Sequence, residues 1–286
     1  MDIKSLLNLS YLKIAIGLSM LFMVFYLLSP HLLEILELKT IDARFRSRPE
    51  ITPGNEIVIA VIDEKSIDAI GRWPWSRTTI ANLIDVLTSY GVKVAAFDIV
   101  FSEPTEHSEL NALLSLRKKK AAEGMPPGFA DYVNRIKTEI DPDMQLARSI
   151  KDAGNVILGY FFHFDGFAAS KEGRELSHGY EDIEVWQQGN ESALNASAIE
   201  SNIDIIGEWA KDFGYYNIIP DKDGSVRWNP LVIKYKDGYY APLSIKVLQA
   251  YLGEPAISLT LTDYGVADVK LGEMSLPVDE SGRLLN

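Results

Sequence analysis

Residues 56–99 read EIVIAVIDEKSIDAIGRWPWSRTTIANLIDVLTSYGVKVAAFDI, and this stretch contains the pattern that decides the predicted fold. Residues 56–63 and 92–99 are short apolar runs with an acid at or next to the end, which is typical of strands buried on both faces. The residues between them place apolar side chains at helical spacing, and Gly91 ends the last helix. Two strands separated by helix predict a βαβ unit with a parallel pair.

The rest of the chain extends this pattern to an α/β fold. Residues 155–162 are predicted to form a third buried strand, residues 212–235 a hairpin and residues 241–252 a helix. Residues 105–142 are charged and contain several Pro and Gly residues, which indicates an insertion with a helix or two and a mobile middle. We expect a mostly parallel central sheet with flanking helices and antiparallel additions, preceded by one transmembrane helix.

The N-terminal region predicts a membrane anchor. Residues 14–28 carry no charge, and with the apolar stretch up to residue 36 they supply the roughly 20 residues needed to cross a bilayer. Lysines precede this segment and glutamates follow it, so the positive-inside rule leaves residues 1–13 in the cytoplasm and exports residues 38–286. The expected location is the cell inner membrane, with one span and a periplasmic main domain. A cleaved signal peptide and a buried helix are the alternatives, but the run lacks a small-x-small cleavage site and a polar face.

Charged and aromatic residues follow the two predicted strands and fill the turn between them. Ligands of open α/β sheets bind outside the carboxyl ends of the parallel strands, so a site here would hold a polar ligand or, through carboxylate oxygens, a cation. Two indoles around a proline would add a rigid aromatic platform. We therefore predict a ligand-binding site formed by Asp63, Glu64, Arg72, Trp73, Trp75, Arg77, Asp98 and Glu103.

Each part of this site also has a structural interpretation. Asp63 would cap the next helix, Asp98 would pair with Arg77 or Arg72, and the two indoles would plug the core. A further motif, Asp-x-Asp-Gly at residues 221–224, resembles half of a calcium loop. It lacks the later acid that would complete the cage, so a hairpin turn is the better interpretation.

Composition and motifs argue against several functions. The formal net charge of −12 disfavours a nucleic-acid partner, because an acidic chain meets phosphate with the wrong sign. The chain has no cysteine, and it contains no nucleophile elbow, His-Glu-x-x-His motif, phosphate loop or dinucleotide fingerprint. We therefore expect no catalytic residues, metal or cofactor, and a chain that is not itself an enzyme. A membrane-anchored exported hydrolase holding a metal with Asp63, Asp98 and Glu103 is the alternative.

Three segments together resemble the second type of CHASE domain, a sensory extracellular module of cyclases and histidine kinases. They are residues 61–77 (VIDEKSIDAIGRWPWSR), residues 97–104 (FDIVFSEP), and Asn217 with residues 220–227 (PDKDGSVR), Pro230-Leu231, Tyr240 and Leu243-Ser244. Residues 42–46 (DARFR) also resemble the segment that opens the family's domain. The resemblance covers roughly residues 38–286.

The resemblance implies the input end of a bacterial transmembrane receptor. Members of the family are usually followed by membrane helices and by a cytoplasmic nucleotide cyclase, diguanylate cyclase or kinase. This chain reaches Asn286 without a second membrane helix, which fits a fragment or a stand-alone sensor. The expected partners are the membrane, a second copy joined through the membrane helices, and a small-molecule or protein signal that the resemblance does not name.

Overall fold

The chain forms two compact units, Met1–Val61 and Ile62–Asn286. The structure, a computed structural model, describes residues 11–28, 30–50, 52–106, 108–124, 126–164, 180, 183–187, 189 and 193–285.

The described part of the first unit contains two helices, followed by a segment without regular secondary structure. Helix α1 covers Tyr11–Leu28 and helix α2 covers Pro30–Ser47. The residues of the predicted membrane helix, 14–36, fall on α1 and α2, and residue 29 lies outside the described residues. Among the described residues, no helix is both long enough and apolar enough to cross a bilayer.

The second unit is a mixed α/β domain. Its helices are α3 (Glu64–Ile70), α4 (Arg77–Ser89), α5 (Ser108–Glu123), α6 (Phe129–Ile140), α7 (Pro142–Ala153), α8 (Asp204–Gly207) and α9 (Leu243–Tyr251). Its strands are β1 (Ala95–Phe97), β2 (Val156–His163), β3 (Glu184–Gln187), β4 (Leu194–Ala196), β5 (Ala198–Glu200), β6 (Asp212–Tyr215), β7 (Trp228–Pro230), β8 (Ile233–Tyr235), β9 (Gly238–Tyr240), β10 (Ile257–Thr262), β11 (Gly265–Leu271), β12 (Met274–Leu276) and β13 (Arg283–Leu285).

A four-stranded sheet built around β2 carries the predicted site. β1 and β6 pair parallel with β2, while β5 pairs antiparallel with the end of β2. The sheets as a whole are mixed, with parallel and antiparallel pairs. Strands β12, β11 and β10 pair antiparallel, and β3 adds parallel to β10. Short turns join the strands of this C-terminal part, and such turns connect antiparallel neighbours.

Residues 56–63 do not form the predicted first strand. Ile57, Val58 and Ile59 are 82%, 85% and 82% exposed, and the segment pairs with no strand among the described residues. Strand propensity reflects packing on a pleated surface more than an intrinsic backbone preference, so an apolar, β-branched run becomes a strand only beside a neighbouring edge. The parallel pair is instead formed by β1 and β2, and α5, α6 and α7 lie between these two strands in the chain.

Helices α4 and α7 bury their apolar faces in one core with the central sheet. Helix α4 follows its N-cap Ser76 and buries Ile80 and Ile84. Helix α7 buries Leu146 and Ile150 in the same cluster. Residues four apart lie on the same helix face, which is why the apolar spacing of the sequence becomes a buried surface.

The charged segment between β1 and α7 forms two helices. They are α5 and α6, and Val133 of α6 is fully buried. The backbone enters α6 through Gly128, whose φ of 79° lies in the left-handed region that glycine adopts without steric cost. Asp141 then caps α7 by accepting a hydrogen bond from the backbone N–H of Asp143 at 3.0 Å. This cap fixes the position of Asp143, which is part of the site.

Candidate functional site

A cavity of about 320 Å³ lies beyond the carboxyl end of β1. Its lining comprises Trp73, Pro74, Trp75, Arg77, Ile80, Asp98, Ile99, Val100, Phe101 and Tyr216. Its volume is at the lower end of the range for small-molecule sites, which run from about 300 to 1,000 Å³. Four of the eight predicted site residues are therefore brought together where ligands of open α/β sheets bind.

Arg77 is the best-anchored side chain of this cavity. Its Nε donates to Oδ1 of Asp143 at 3.3 Å, and its Nη2 donates to the backbone oxygen of Glu103 at 3.2 Å. The guanidinium carbon lies 4.4 Å from the ring centroid of Phe101. Nη1 makes no hydrogen bond within the described part of the chain, so this planar cation keeps N–H groups for a ligand.

Asp143 is the ion-pair partner of Arg77, and the sequence analysis missed it. Its carboxylate is 6% exposed and also accepts from the backbone N–H and the hydroxyl of Thr105, both at 2.8 Å. Asp143 lies in the first turn of α7, 66 residues beyond Arg77. The proposed pairing of Asp98 with Arg77 is therefore wrong, because another carboxylate takes that place. Local patterns contain no signal for this contact, since only the fold brings α4 and α7 together.

Asp98 also lines this cavity, but its carboxylate is not held in place as the guanidinium of Arg77 is. The residue is exposed, and its carboxylate forms no hydrogen bond or ion pair with the described residues. Its neighbour Tyr216 also lines the cavity and was not predicted. Burial raises the pKa of the Tyr216 phenol, and the carboxylates of Glu200 and Asp98 raise it further. The phenol therefore remains a hydrogen-bond donor at neutral pH, beside an acceptor that is open to solvent.

A glycine in β2 allows Tyr216 to reach the cavity. The backbone N–H of Tyr216 donates to the oxygen of Tyr160 at 3.2 Å, just beyond β6. A Cβ on Gly159 would lie 2.6 Å from the backbone oxygen of Phe97 and 2.7 Å from Cδ1 of Tyr216. Any other residue at position 159 would displace either β1 or the tyrosine ring. Gly159 is thus a close-approach glycine within a strand.

Two buried asparagines fix the backbone around the cavity. Asn202 accepts from the N–H of Phe101 and donates to the oxygen of Gly159, both at 2.8 Å. Asn217 accepts from the N–H of Phe162 at 2.9 Å and donates to its oxygen at 2.7 Å. Each primary amide replaces a backbone partner where strand pairing stops. Asn217 belongs to the third CHASE-like segment, whereas Asn202 lies in an irregular stretch that carried no signal.

The two tryptophans have different roles, one as a plug of the core and the other as part of the cavity wall. Their rings meet edge to face, with centroids 5.8 Å apart. The indole N–H of Trp75 donates to the oxygen of Gly71 at 2.8 Å, and its ring packs against the main core. Trp75 is therefore largely a structural plug. Trp73 is 41% exposed and lines the cavity, so its ring remains available to a ligand.

The other four predicted residues do not line the cavity. Asp63 is the N-cap of α3 and accepts from the N–H of Ser66 at 2.9 Å, which lowers the pKa of its carboxyl. Glu64 and Arg72 are exposed, and Glu103 contributes only its backbone oxygen to Arg77. Asp63, Asp98 and Glu103 are not assembled, and no group of three potential metal ligands occurs among the described residues.

A second recess, of about 300 Å³, has the lining residue Tyr216 in common with the first. It lies between the end of β6 and the start of α9. It is lined by Tyr215, Tyr216, Asn217, Ile218, Val226, Trp228, Asn229, Pro242, Leu243 and Ser244. None of these lining residues is charged, so the recess suits an uncharged group. This recess was not predicted from the sequence, because its walls come from three separate parts of the chain.

The Asp-x-Asp-Gly motif forms a turn, as the sequence predicts, and it is not a calcium loop. The predicted hairpin over residues 212–235 is wrong, because β6 pairs with β2 and β7 pairs with β13. Nη1 of Arg227 binds Oδ2 of Asp221 at 2.9 Å, and Nη2 binds Oδ2 of Asp223 at 2.8 Å. The hydrogen bond from Arg227 holds the pKa of Asp223 well below its usual range. Arginine therefore occupies the position that a cation would have in a calcium loop.

Comparison with known protein families agrees with the motifs found in residues 61–77, 97–104 and 217–244. The CHASE2 domain family matches residues 18–286, which confirms the predicted resemblance. No curated protein and no solved structure matches the chain. Since the family match spans nearly the whole sequence, the chain belongs to the CHASE2 family of sensory extracellular domains.

Proposed function

We propose that this chain is the ligand-sensing module of a membrane receptor that controls a cytoplasmic nucleotide cyclase or kinase. The single observation that carries the proposal is the cavity beyond β1. It combines a pre-positioned arginine, a solvent-open carboxylate and an exposed indole in one small space. Such a constellation recognises a small polar ligand, and family membership supports a sensory role.

The proposal includes a periplasmic domain tethered to the inner membrane, without enzymatic activity of its own. Its support is the uncharged run at residues 14–28 between basic and acidic flanks. Two copies joined through their N-terminal helices would transmit the signal. A ligand shifts such an equilibrium only by its different affinity for the two arrangements.

Helix α2 suits the role of transmitter. It is 18 residues long and therefore extends for about 27 Å at 1.5 Å per residue. A continuous helix passes on rotation and displacement, whereas a flexible segment loses them. The segment predicted to leave the membrane, residues 38–49, falls largely on this helix.

The proposal is tested with a chimera in which residues 1–286 are fused to a cyclase output domain by a second membrane helix. Cyclic nucleotide is measured while amino acids, sugars and salts are added singly. We expect at least one class of solute to change the output, and Trp73→Ala to remove the response. No response to any solute by a folded, inserted chimera would contradict the proposal. A topology reporter at residue 280 that is active in the cytoplasm would contradict the periplasmic location.

A flexible insertion tests the route of coupling. Four Gly/Ser residues inserted between Leu38 and Lys39 should abolish the response while ligand affinity is retained, because α2 is interrupted. The matched control inserts seven alanines at the same place, which is nearly two helical turns and preserves both helix and phase. The control should keep the response. Full response with the Gly/Ser insertion would show that α2 does not transmit the signal.

A further inference from the structure

We propose that the cavity beyond β1 binds a small zwitterion, an α-amino acid whose carboxylate is held by Arg77 and whose ammonium group is held by Asp98. This inference rests on the proposed sensory function and adds the chemical class of the signal. Among the lining residues, Arg77 and Asp98 are the two with charged side chains, and their signs are opposite.

These two charges are not satisfied by each other. Arg77 is bound to Asp143 and to the oxygen of Glu103, and its Nη1 has no partner in the described part of the chain. Asp98 makes no hydrogen bond or ion pair with the described residues. A cavity with a separated cation and anion favours a ligand that carries both charges at a short separation. An α-amino acid meets this condition, because its ammonium and carboxylate groups are attached to the same carbon atom.

The arginine side of the cavity is prepared for a carboxylate. The guanidinium is held by two hydrogen bonds and by the ring of Phe101, so little conformational freedom is lost when a ligand binds. Its planar N–H groups match a carboxylate better than the point charge of a lysine would. Asp143 supports this geometry from behind and takes no part in lining the cavity.

The carboxylate side of the cavity is suited to an ammonium group. Asp98 accepts hydrogen bonds, and the exposed ring of Trp73 in the same wall provides a π face for a cation. Tyr216 adds a protonated hydroxyl beside them. A monocarboxylate would leave Asp98 without a partner, and a simple amine would leave Nη1 of Arg77 without one. The lining therefore favours a zwitterion over either singly charged class.

The test is calorimetric titration of the full chain in detergent with the twenty α-amino acids and two matched analogues of the best one. N-acetylation removes the ammonium charge, and amidation removes the carboxylate. We expect each analogue to bind about 10- to 100-fold more weakly, because each loses hydrogen bonds between charged groups. Equal affinity for the zwitterion and either analogue, or no amino acid binding at 10 mM, would overturn the proposal.

The variant Asp98→Asn assigns the ammonium group to one residue. It should weaken the amino acid about 10- to 100-fold while N-acetylation causes little further loss. Asp237→Asn, which changes an exposed carboxylate in the turn between β8 and β9, is the control and should bind like the wild type. If Asp98→Asn binds like the wild type, Asp98 does not hold the ammonium group. The binding and chimera experiments together distinguish failure of this inference from failure of the proposed function. A chimera that responds to a sugar or salt but not to amino acids refutes the ligand class alone. Amino-acid binding without any change in output refutes the function alone.

Discussion

Arg77 and Arg227 are both held by carboxylates, but the carboxylates come from different distances along the chain. Arg227 is bound by Asp221 and Asp223, six and four residues away, and its side chain is 6% exposed. Arg77 is bound by Asp143, 66 residues away, and its side chain is 18% exposed. The first arginine closes its own turn, whereas the second connects α4 to the first turn of α7.

This difference separates a structural cluster from a candidate binding site. The guanidinium of Arg227 donates hydrogen bonds to the carboxylates of Asp221 and Asp223, and these bonds stabilise a single turn. The guanidinium of Arg77 is fixed from one side and lines a cavity on the other. An arginine that is fixed by a distant acid, with N–H groups left over, is ready for a ligand without further ordering.

Replacing Asp143 should have the largest effect on stability. Asp143→Ala leaves Arg77 part-buried without its counter-ion and removes both bonds to Thr105, so we expect a loss of about 3–5 kcal/mol in the free energy of unfolding. Urea titration measures it. Asp98→Ala is the matched control in the same cavity and should stay within about 0.5 kcal/mol of the wild type. A larger loss for Asp98→Ala than for Asp143→Ala would reverse the roles assigned to the two carboxylates.

Replacing Arg227 should have a smaller and purely structural effect. Arg227→Ala removes the charged hydrogen bonds of the turn, but Asp221 and Asp223 can turn to water, so we expect a loss of about 2–3 kcal/mol. Arg227→Lys should recover only part of it, because lysine cannot make the two-pronged contact. Ligand affinity of the folded protein should not change in either variant. An affinity that falls along with stability would mean that the turn contributes to the site.

The smallest expected effect is the contribution of Asp223 to the pH dependence of the free energy of unfolding. The pKa of Asp223 is lower in the folded protein than its ordinary value near 4, so its stabilising contribution is complete above that value and is lost as the pH falls through the folded pKa. Asp223→Asn should therefore be less stable than the wild type at pH 6 and should lose less stability between pH 5 and pH 3. Urea midpoints at the three pH values test this. The control Asp237→Asn should keep the wild-type slope, and an unchanged slope in Asp223→Asn would contradict the assignment.

Local signals in the sequence predicted several elements correctly. The four-residue apolar spacing in α4 and α7 became buried helix faces, and the turn at residues 221–224 formed as predicted. Asp63 caps α3, as its position before an amphipathic segment indicates. These features depend on residues within one or two turns of each other, so they are encoded in a short stretch of chain.

The apolar run at residues 56–63 shows where such signals fail. Its composition is that of a buried strand, yet Ile57 and Val58 are 82% and 85% exposed. A strand needs the edge of a neighbour, and composition alone does not supply that neighbour. For the same reason the predicted βαβ unit is wrong in its pairing. It joined residues 56–63 to residues 92–99, whereas the observed parallel pair is β1 with β2.

The sequence by itself determined the family, the helices and turns, and four of the residues that line the cavity. The tertiary structure alone decided that Arg77 binds Asp143 and leaves Asp98 open to solvent. It also brought Tyr216 to the cavity through the missing Cβ of Gly159. Caps and periodic faces follow from neighbouring residues, whereas an ion pair across 66 residues and a close approach between strands exist only after the chain has closed those distances.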